Sequence, residues 1–321
     1  MYYNTAMEEQ KKKLVLIDGH AMLYRAWFAF PQTLTKRDGT LVNAVYGFTR
    51  ILLTVLEELE PTHLAVSFDV GRTFRHEVFP AYKAHREKMP EELKAQEPLT
   101  FGLVETLNVP VFTKATYEAD DVIGTLARQA AAVEMEAIIV TGDKDTLQLV
   151  DDGSVDSAGS LQAGSGPVRV YLPARVNRPA VIYDEAEVKR DLGVTPKQVP
   201  DYKGLAGDAS DNIPGIRGIG KVTAVKLLTA YTNLEGVYEH VDELAGSVKQ
   251  KIVSGRDSAF ESRTLATIVT KVPIKLDLKA AEVKAYDKQK AVNLFTELEF
   301  TSLISKLPAD AFEQSVQEAL F

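Results

Sequence analysis

The chain has 321 residues, of which 45% are hydrophobic and 26% are charged, and its formal net charge is −8. These values are ordinary for a globular protein with one large domain or two modest ones. The lack of cysteine excludes disulfides, thiolate zinc sites and cysteine nucleophiles, and it fits a cytoplasmic location. No apolar run approaches the roughly 20 residues of a membrane helix. The acidic balance argues against a nucleic-acid binder, unless the carboxylates are concentrated in one place.

The first part of the chain alternates between two periodicities. Residues 1–13 are predicted to be a disordered N-terminal lead-in to the fold. Four short apolar runs, rich in β-branched residues, predict strands at 14–17, 64–68, 109–113 and 137–141. Stretches 45–59 and 120–132 have helical periodicity. Strands that alternate with helices predict an α/β fold with a mostly parallel central sheet flanked by helices.

The composition changes after this part. Residues 151–167 are rich in Gly, Ser and Asp, which predicts a flexible surface loop. Two further strands are expected at 168–172 and 180–183, and the pattern from Asp184 onward is helical. The predicted organisation is an α/β core over 14–200, a helical region over 201–307 and a peripheral tail over 308–321.

Acidic residues follow three of the predicted strands. Asp18 follows the first run, Asp69 the second, and Asp143 with Asp145 the fourth. Ligand sites in open α/β sheets form outside the carboxyl ends of the strands. We therefore expect these carboxylates to meet at one edge of the sheet.

Five more acids extend this group. Glu118, Asp120 and Asp121 stand where a helix begins, and Asp208 and Asp211 stand in a Gly-rich segment. Each alone is explained as a turn former or helix cap. Together they would repel one another, and bound divalent cations are the obvious compensation. Oxygen ligands favour Mg²⁺ or Mn²⁺ over zinc. Two ions about 3.5–4 Å apart would activate a water and stabilise the leaving oxygen of a phosphodiester.

Residues 72–88 form a basic segment directly after Asp69. Its cations, which outnumber its two acids, are Arg72, Arg75, Lys83, Arg86 and Lys88. Phe74, Phe79 and Tyr82 are interleaved with them. Cations for phosphates and aromatic faces for bases are typical of a single-strand-binding element. The alternative is a solvated amphipathic segment.

A glycine-rich turn spans Gly215 to Lys221. It nearly matches a P-loop, but Val222 replaces the Mg²⁺-binding hydroxyl and Pro214 precedes it in place of a buried strand. We interpret it as a turn between two helices. Such a turn binds a phosphate through free N–H groups, or it is a plain helix C-cap followed by a new helix.

An ordered set of motifs resembles a known family. The motifs are Val15-Leu16-Ile17-Asp18-Gly19-His20, Tyr46-Gly47-Phe48, Phe74-Arg75-His76-Glu77, Tyr82-Lys83-Ala84-His85-Arg86, Tyr117-Glu118-Ala119-Asp120-Asp121-Val122, Gly142-Asp143-Lys144-Asp145 and Gly207-Asp208-Ala209-Ser210-Asp211-Asn212-Ile213-Pro214-Gly215. In this order they resemble the 5′ nuclease domain of bacterial DNA polymerase I, which is related to the flap endonucleases. The match runs from about residue 14 to about residue 307. It departs from the family at 151–180, which is longer and richer in Gly and Ser.

The resemblance implies a PIN/FEN-like fold with a helical arch at about 71–97 and a helix-hairpin-helix region. One metal would be held by Asp18, Asp69, Glu118, Asp120 and Asp121, and the other by Asp143, Asp145, Asp208 and Asp211. Lys83 and Arg86 would engage the scissile phosphate. DNA contacts would come from Arg72, Arg75, Tyr82, Gly215, Gly218, Gly220 and Lys221, with K⁺ on main-chain carbonyls of the hairpin.

The implied activity is that of a structure-specific 5′→3′ exonuclease and flap endonuclease in replication and repair. The expected partners are DNA with a 5′ flap, a nick or an RNA primer, and no membrane. The protein is expected to be a monomer near the bacterial nucleoid, either alone or as part of a larger polymerase. The alternatives are a non-catalytic DNA-junction binding module and a Toprim-type or P-loop phosphate enzyme.

Overall fold

The computed structural model describes residues 12–153, 164–175, 178–283, 286–310 and 313, and its centre is a six-stranded sheet. The strands are β1 (Lys13–Asp18), β2 (His63–Ser67), β3 (Val111–Phe112), β4 (Glu136–Val140), β5 (Val168–Leu172) and β6 (Val181–Tyr183). They lie in the order β3-β2-β1-β4-β5-β6, and only β6 is antiparallel to its neighbour. The predicted mostly parallel α/β sheet is confirmed.

Helices cover both faces of the sheet and make up the C-terminal part. The α-helices of the described residues are α1 (Gly19–Ala29), α2 (Asn43–Leu59), α3 (Phe74–Val78), α4 (Glu91–Lys94), α5 (Glu97–Thr106), α6 (Ala119–Ala131), α7 (Glu185–Leu192), α8 (Val199–Ala206), α9 (Lys221–Tyr231), α10 (Leu234–Glu239), α11 (Gly246–Ser254), α12 (Arg256–Ala266), α13 (Leu278–Ala281), α14 (Lys288–Glu297) and α15 (Thr301–Ile304). Short 3₁₀ helices span Lys144–Leu149, Pro196–Gln198 and Val241–Glu243. None of these described helices is both long and apolar enough to cross a membrane.

The apolar run of β1 is continuous because both faces of the sheet are buried. Leu14 and Leu16 enter a core with α6, while Val15 and Ile17 enter a second core with α1 and α2. Alternate residues of a strand point to opposite faces, so a central parallel strand needs apolar residues throughout. The same packing leaves only the strand ends free for polar side chains.

The C-terminal helices share the core of one sheet face. Leu205 of α8, Leu228 of α9 and Ile252 of α11 belong to the cluster that contains Leu14. Helix α8 packs against α12 and α9. This packing places the connection between α8 and α9 beside the carboxyl ends of the strands, where Lys83 N–H donates to the Asp211 carbonyl.

Most of the predicted elements are present. Each predicted strand and both named helices appear within two residues of the expected ends. The first strand begins at Lys13, inside the range predicted as a lead-in; residues 1–11 of that range lie outside the described residues, as do 154–163 of the predicted loop and most of the predicted tail.

Candidate active site

Three carboxylates reach one cavity from the carboxyl ends of different strands. Asp18 ends β1, and Asp69 and Asp143 lie just beyond β2 and β4. Together with Glu118 and Asp120 at the start of α6, they line a cavity of about 530 Å³. The expected gathering of acids at one edge is therefore present in the structure.

Backbone and hydroxyl donors fix two of these carboxylates. Asp18 caps α1 by accepting from the Ala21 N–H at 3.0 Å, and it also accepts from the Thr141 hydroxyl at 3.0 Å. Asp69 accepts from the Ala119 N–H at 2.7 Å, at the N-terminus of α6. The same positions that make acids good helix caps thus orient them towards the cavity.

The cavity holds more negative charge than its surroundings neutralise. Burial raises the pKa of Asp18 to about 7, and repulsion from Asp69 and Asp143 adds to the effect. Burial, with repulsion from Asp18 and Asp143, also raises the pKa of Asp120 well above its usual value. One oxygen of Asp120 is buried and has no hydrogen-bond partner. An all-oxygen cluster with an unpartnered buried oxygen fits a hard divalent cation.

A second group of acids surrounds Lys203 of α8. Its buried ammonium group contacts the carboxylates of Asp145 and, at 2.6 Å, Asp208. Burial and the charge of Asp143 raise the pKa of Asp145 to about 7, although Lys203 opposes this. At Asp208, burial raises the pKa and the charge of Lys203 lowers it. The effect of Lys203 is the stronger one, so the pKa of Asp208 falls to about 2. The sequence analysis missed Lys203, since no local spacing links it to Asp145.

The arch segment, residues 71–97, folds down onto the acids. It contains α3 and α4, and the residues between them form turns, so it is helical only in part. The Lys83 ammonium lies 2.8 Å from a Glu118 oxygen and 3.7 Å from an Asp211 oxygen, and Arg86 also pairs with Asp211. The two predicted catalytic cations therefore neutralise predicted metal ligands in this conformation.

Arg75 and Asp121, which have predicted roles at the site, are buried as an ion pair in this structure. Arg75, expected to contact DNA, donates to both oxygens of Asp121 at 2.7 and 2.8 Å and to the carbonyls of Leu265 and Thr267. Arg75 is 2% exposed and Asp121 is fully buried. Asp121, expected to hold a metal, is instead the counterion of a structural arginine that ties α3 and α6 to the end of α12.

Tyr82 and Gly215, both predicted to contact DNA, are also buried in this structure. Tyr82 was expected to stack on a base, but it is 3% exposed and its hydroxyl lies 3.1 Å from oxygens of both Glu118 and Asp211. The Gly215 N–H donates to Ser262 and its carbonyl accepts from Ser258, so neither group is free for DNA. Its φ of +61° and a virtual Cβ 2.1 Å from the Gly207 nitrogen require glycine for structural reasons.

The other residues predicted to bind DNA are exposed. They are Arg72, Gly218, Gly220 and Lys221. The turn joins α8 to α9, as expected, so it is not a P-loop, which would follow a strand. The first N–H groups of α9 lack intrahelical partners, which suits a phosphate. The Gly218 carbonyl accepts from Lys251 at 3.1 Å.

His20 is a further residue that spacing did not reveal. Its Nε2 lies 2.9 Å from Glu97, and its Nδ1 lies 3.1 Å from the Asp69 backbone nitrogen and 3.4 Å from the Asp69 carboxylate. Although burial opposes it, contact with Asp69 and Glu97 raises the pKa of His20 to about 8. His20 thus orients Asp69 from behind.

Protein cations take the positions between the carboxylates. Within the described ranges, no three carboxylates or imidazoles converge closely enough to ligate one ion as they stand. Lys203 lies between Asp145 and Asp208, and Lys83 lies between Glu118 and Asp211. Withdrawal of these ammonium groups would leave two oxygen-rich groups of ligands.

The fold and this centre define a class of protein. Carboxylates gather at the carboxyl edge of a parallel sheet, with a cationic segment above them and a turn suited to phosphate beside them. These features are typical of a nuclease that cleaves phosphodiesters. Family models agree. The 5′-3′ exonuclease N-terminal resolvase-like domain matches residues 13–193, and the 5′-3′ exonuclease C-terminal SAM fold matches 194–289. The chain belongs to this 5′-3′ exonuclease family.

Curated relatives are much longer proteins. The chain is 45% identical over 300 residues to DNA polymerase I of Chloroflexus aurantiacus, a match that covers 92% of this chain and 31% of the relative. It is 39% identical over 313 residues to DNA polymerase I of Bacillus subtilis, covering 97% and 34%. The chain therefore spans about a third of the length of these relatives.

Solved structures of distant sequence share the fold. T5 5′-exonuclease with bound zinc ions superposes with a TM-score of 0.64 at 18% identity, covering 90% of this chain and 99% of that one. A bacteriophage T5 flap endonuclease, in a pseudo-enzyme-product complex with DNA and metal ions, gives 0.62 at 18% identity, covering 96% and 98%.

The burial of Arg75 leads to a stability prediction. Arg75→Met should lower the free energy of unfolding by about 3–5 kcal/mol, because it leaves the Asp121 carboxylate buried without a counterion. Arg72→Met, an exposed change three positions earlier, is the matched control and should change it by less than about 0.5 kcal/mol. Urea unfolding measures both. Equal, small effects would contradict the structural role of Arg75.

The acidic cavity leads to a pH prediction for metal-free protein. The pKa of Asp18 is about 7 when folded, against 3.8 for the unperturbed group. A raised pKa gives stability that is present below pH ~4 and is lost as pH rises towards 7. Asp18→Asn should therefore flatten the decline in unfolding free energy between pH ~4 and pH ~7 in EDTA. Exposed Asp257→Asn should retain the wild-type slope, and an unflattened slope in Asp18→Asn would refute the argument.

Proposed function

We propose that the chain is a structure-specific 5′→3′ exonuclease and flap endonuclease that hydrolyses DNA and RNA-primer phosphodiesters. The observation that carries this proposal is the carboxylate cavity at the sheet edge, with Lys83 and Arg86 held directly over it. Membership of the 5′-3′ exonuclease family supports the direction of cutting.

The ligands proposed for Mg²⁺ or Mn²⁺ are divided as the family resemblance implies, with Asp121 left out because it pairs with Arg75. Asp18, Asp69, Glu118 and Asp120 would hold one ion, and Asp143, Asp145, Asp208 and Asp211 the other. Bound ions supply a water of lowered pKa and stabilise developing negative charge. The raised pKa values of Asp18 and Asp145 support this assignment, since burial and repulsion from neighbouring carboxylates disfavour the charged forms that a bound cation would favour.

The proposed work of the chain's own cations is an exchange of partners. Lys83 and Arg86 pair with Glu118 and Asp211 without substrate. A phosphodiester that enters the cavity offers them a new anion, and the carboxylates that they leave would be free to hold divalent ions. His20 holds Asp69 in place: one ring nitrogen contacts the Asp69 backbone, and the other contacts the Glu97 carboxylate.

We further propose DNA with a 5′ flap, a nick or an RNA primer as the partner. The α/β core (14–200) would cut, and the helical region (201–307) would grip duplex through Gly218, Gly220 and Lys221, with Arg72 near the arch segment. A K⁺ ion at this turn would compete with Lys251 for the Gly218 carbonyl. The protein is proposed to act as a monomer in the cytoplasm at the nucleoid, alone or within a larger polymerase polypeptide, as its relatives suggest.

A flap-cleavage assay tests the proposal. The wild-type protein should cut a 5′-flap duplex with Mg²⁺ and not in EDTA. Asp143→Asn should lower the rate by roughly 100-fold or more, because an electrostatic contact at the reacting centre is lost, while flap binding is retained. Asp242→Asn, an exposed acid far from the cavity, is the control. Binding without Mg²⁺-dependent cutting by wild type would instead indicate a DNA-junction module.

The partner exchange of Lys83 leads to a separate kinetic prediction. Lys83→Met removes the ammonium group but keeps the length of the side chain. It should slow single-turnover cutting by roughly 100-fold or more, on the scale of one lost active-site electrostatic contact. Lys94→Met, an exposed lysine of α4 in the same segment, should cut at the wild-type rate. Unchanged single-turnover rates in Lys83→Met would reject the assignment.

A further inference from the structure

A large cleft opens beside the acidic cavity. Its volume is about 1130 Å³, and its walls come from α1, α2 and the connection that follows β5. It shares Tyr24, Phe28, Arg86 and Asp143 with the acidic cavity, so the two spaces are continuous. Small-molecule pockets usually have about 300–1,000 Å³, so this cleft has the size of a groove for an extended ligand.

The cleft contains guanidinium groups without carboxylate partners. Arg25 donates to the carbonyls of Pro173 and Ala174, and Arg175 donates to the Gly142 carbonyl at 3.3 Å. Arg50 lies over the Phe30 ring, 6.0 Å from its centroid. In the described part of the chain, none of these three arginines forms an ion pair with an acid.

Neutral carbonyls do not cancel this charge. A guanidinium has five N–H donors, so Arg25 and Arg175 keep donors beyond these contacts. The two also repel each other: after burial, the charge of Arg175 is a cause of the lowered pKa of Arg25. Two cations that face each other without a counterion favour an anion between them, as clustered acids favour a cation.

An aromatic ring on the wall is open to solvent. Phe28, near the end of α1, is 78% exposed and is the most exposed of the large apolar residues in the described ranges. It lines both the cleft and the acidic cavity. An exposed ring of this kind stacks on a base of a single strand, since bases inside a duplex have both faces covered by their stacked neighbours.

We propose that this cleft binds an unpaired stretch of the nucleic-acid substrate, with a phosphate held between Arg25 and Arg175 and a base stacked on Phe28. The proposal rests on the proposed nuclease function and extends it to a second strand site. Asp143 lines both the cleft and the acidic cavity, so a strand in the cleft reaches the cleavage centre. Glu58, which accepts from the Tyr171 hydroxyl, lines the cleft as well and disfavours phosphate near it.

Binding of a short oligothymidylate in EDTA tests the site without cleavage. Phe28→Ala should weaken binding roughly 5- to 150-fold, the range for loss of one base–aromatic stack, whereas Phe28→Tyr should bind like wild type. Arg25→Gln with Arg175→Gln should weaken binding and reduce the slope of log K against log salt by about 0.7 for one lost phosphate contact. Arg190→Gln, an exposed arginine of α7, should change neither. Because Arg25 also ties the chain at Pro173, unfolding curves accompany the double variant; Phe28→Ala involves no such contact.

The possible results separate the cleft proposal from the proposed nuclease function. Wild-type affinity and salt slope in both Phe28→Ala and the arginine double variant would overturn the cleft proposal. Competition by thymidine monophosphate as strong as by the oligonucleotide would also overturn it, because the cleft would then be a mononucleotide site. Flap cutting is measured on the same preparations. If wild type cuts and the variants bind normally, only the cleft proposal fails; if wild type does not cut but the variants lose single-strand binding, only the nuclease function fails.

Discussion

The burial of carboxylates that also repel their neighbours is the constraint on which the rest of this structure depends. Asp18 and Asp120 share one cavity with Asp69 and Asp143, and burial and then repulsion raise the pKa values of Asp18 and Asp120. The chain offsets this cost with its own groups: helix-end N–H donors, His20, and ammonium groups placed between acids. Carboxylates are costly to bury without partners. We therefore infer that the negative charge that remains in the cavity serves to bind cations.

The fold itself brings the carboxylates to one edge of the sheet. Parallel strands all present their carboxyl ends at one edge, and a central strand such as β1 is apolar until Asp18 because both faces are buried. Helix α6 begins at the same edge, so its first turn stabilises the acids that stand there. The C-terminal helices share the core of one sheet face, which fixes the α8–α9 turn beside the cavity without a separate interface.

The sequence predicted what depends on local pattern. Asp18, Asp69 and Asp143 were placed correctly because an apolar run ends directly before each, and strand direction then brings them together. The failures concern long-range pairing. Nothing near Arg75 in the chain distinguishes it from exposed Arg72; its burial depends on Asp121, 46 positions away, and on the end of α12. Lys203 and Asp145 likewise meet only after α8 has packed, and the charges of Arg25 and Arg175 are visible as a pair only across the cleft.

The overall charge of −8 can now be reconciled with a nucleic-acid substrate. The acids are sequestered in a cavity, and the cations that face a substrate are few: Lys83 and Arg86 line that cavity, and Arg25 and Arg175 line the adjoining cleft. In the proposed cycle, Lys83 exchanges Glu118 for a phosphate, and the freed carboxylate would hold a metal ion. One ion pair is thus replaced by two charge contacts, so Glu118 is compensated both with and without substrate.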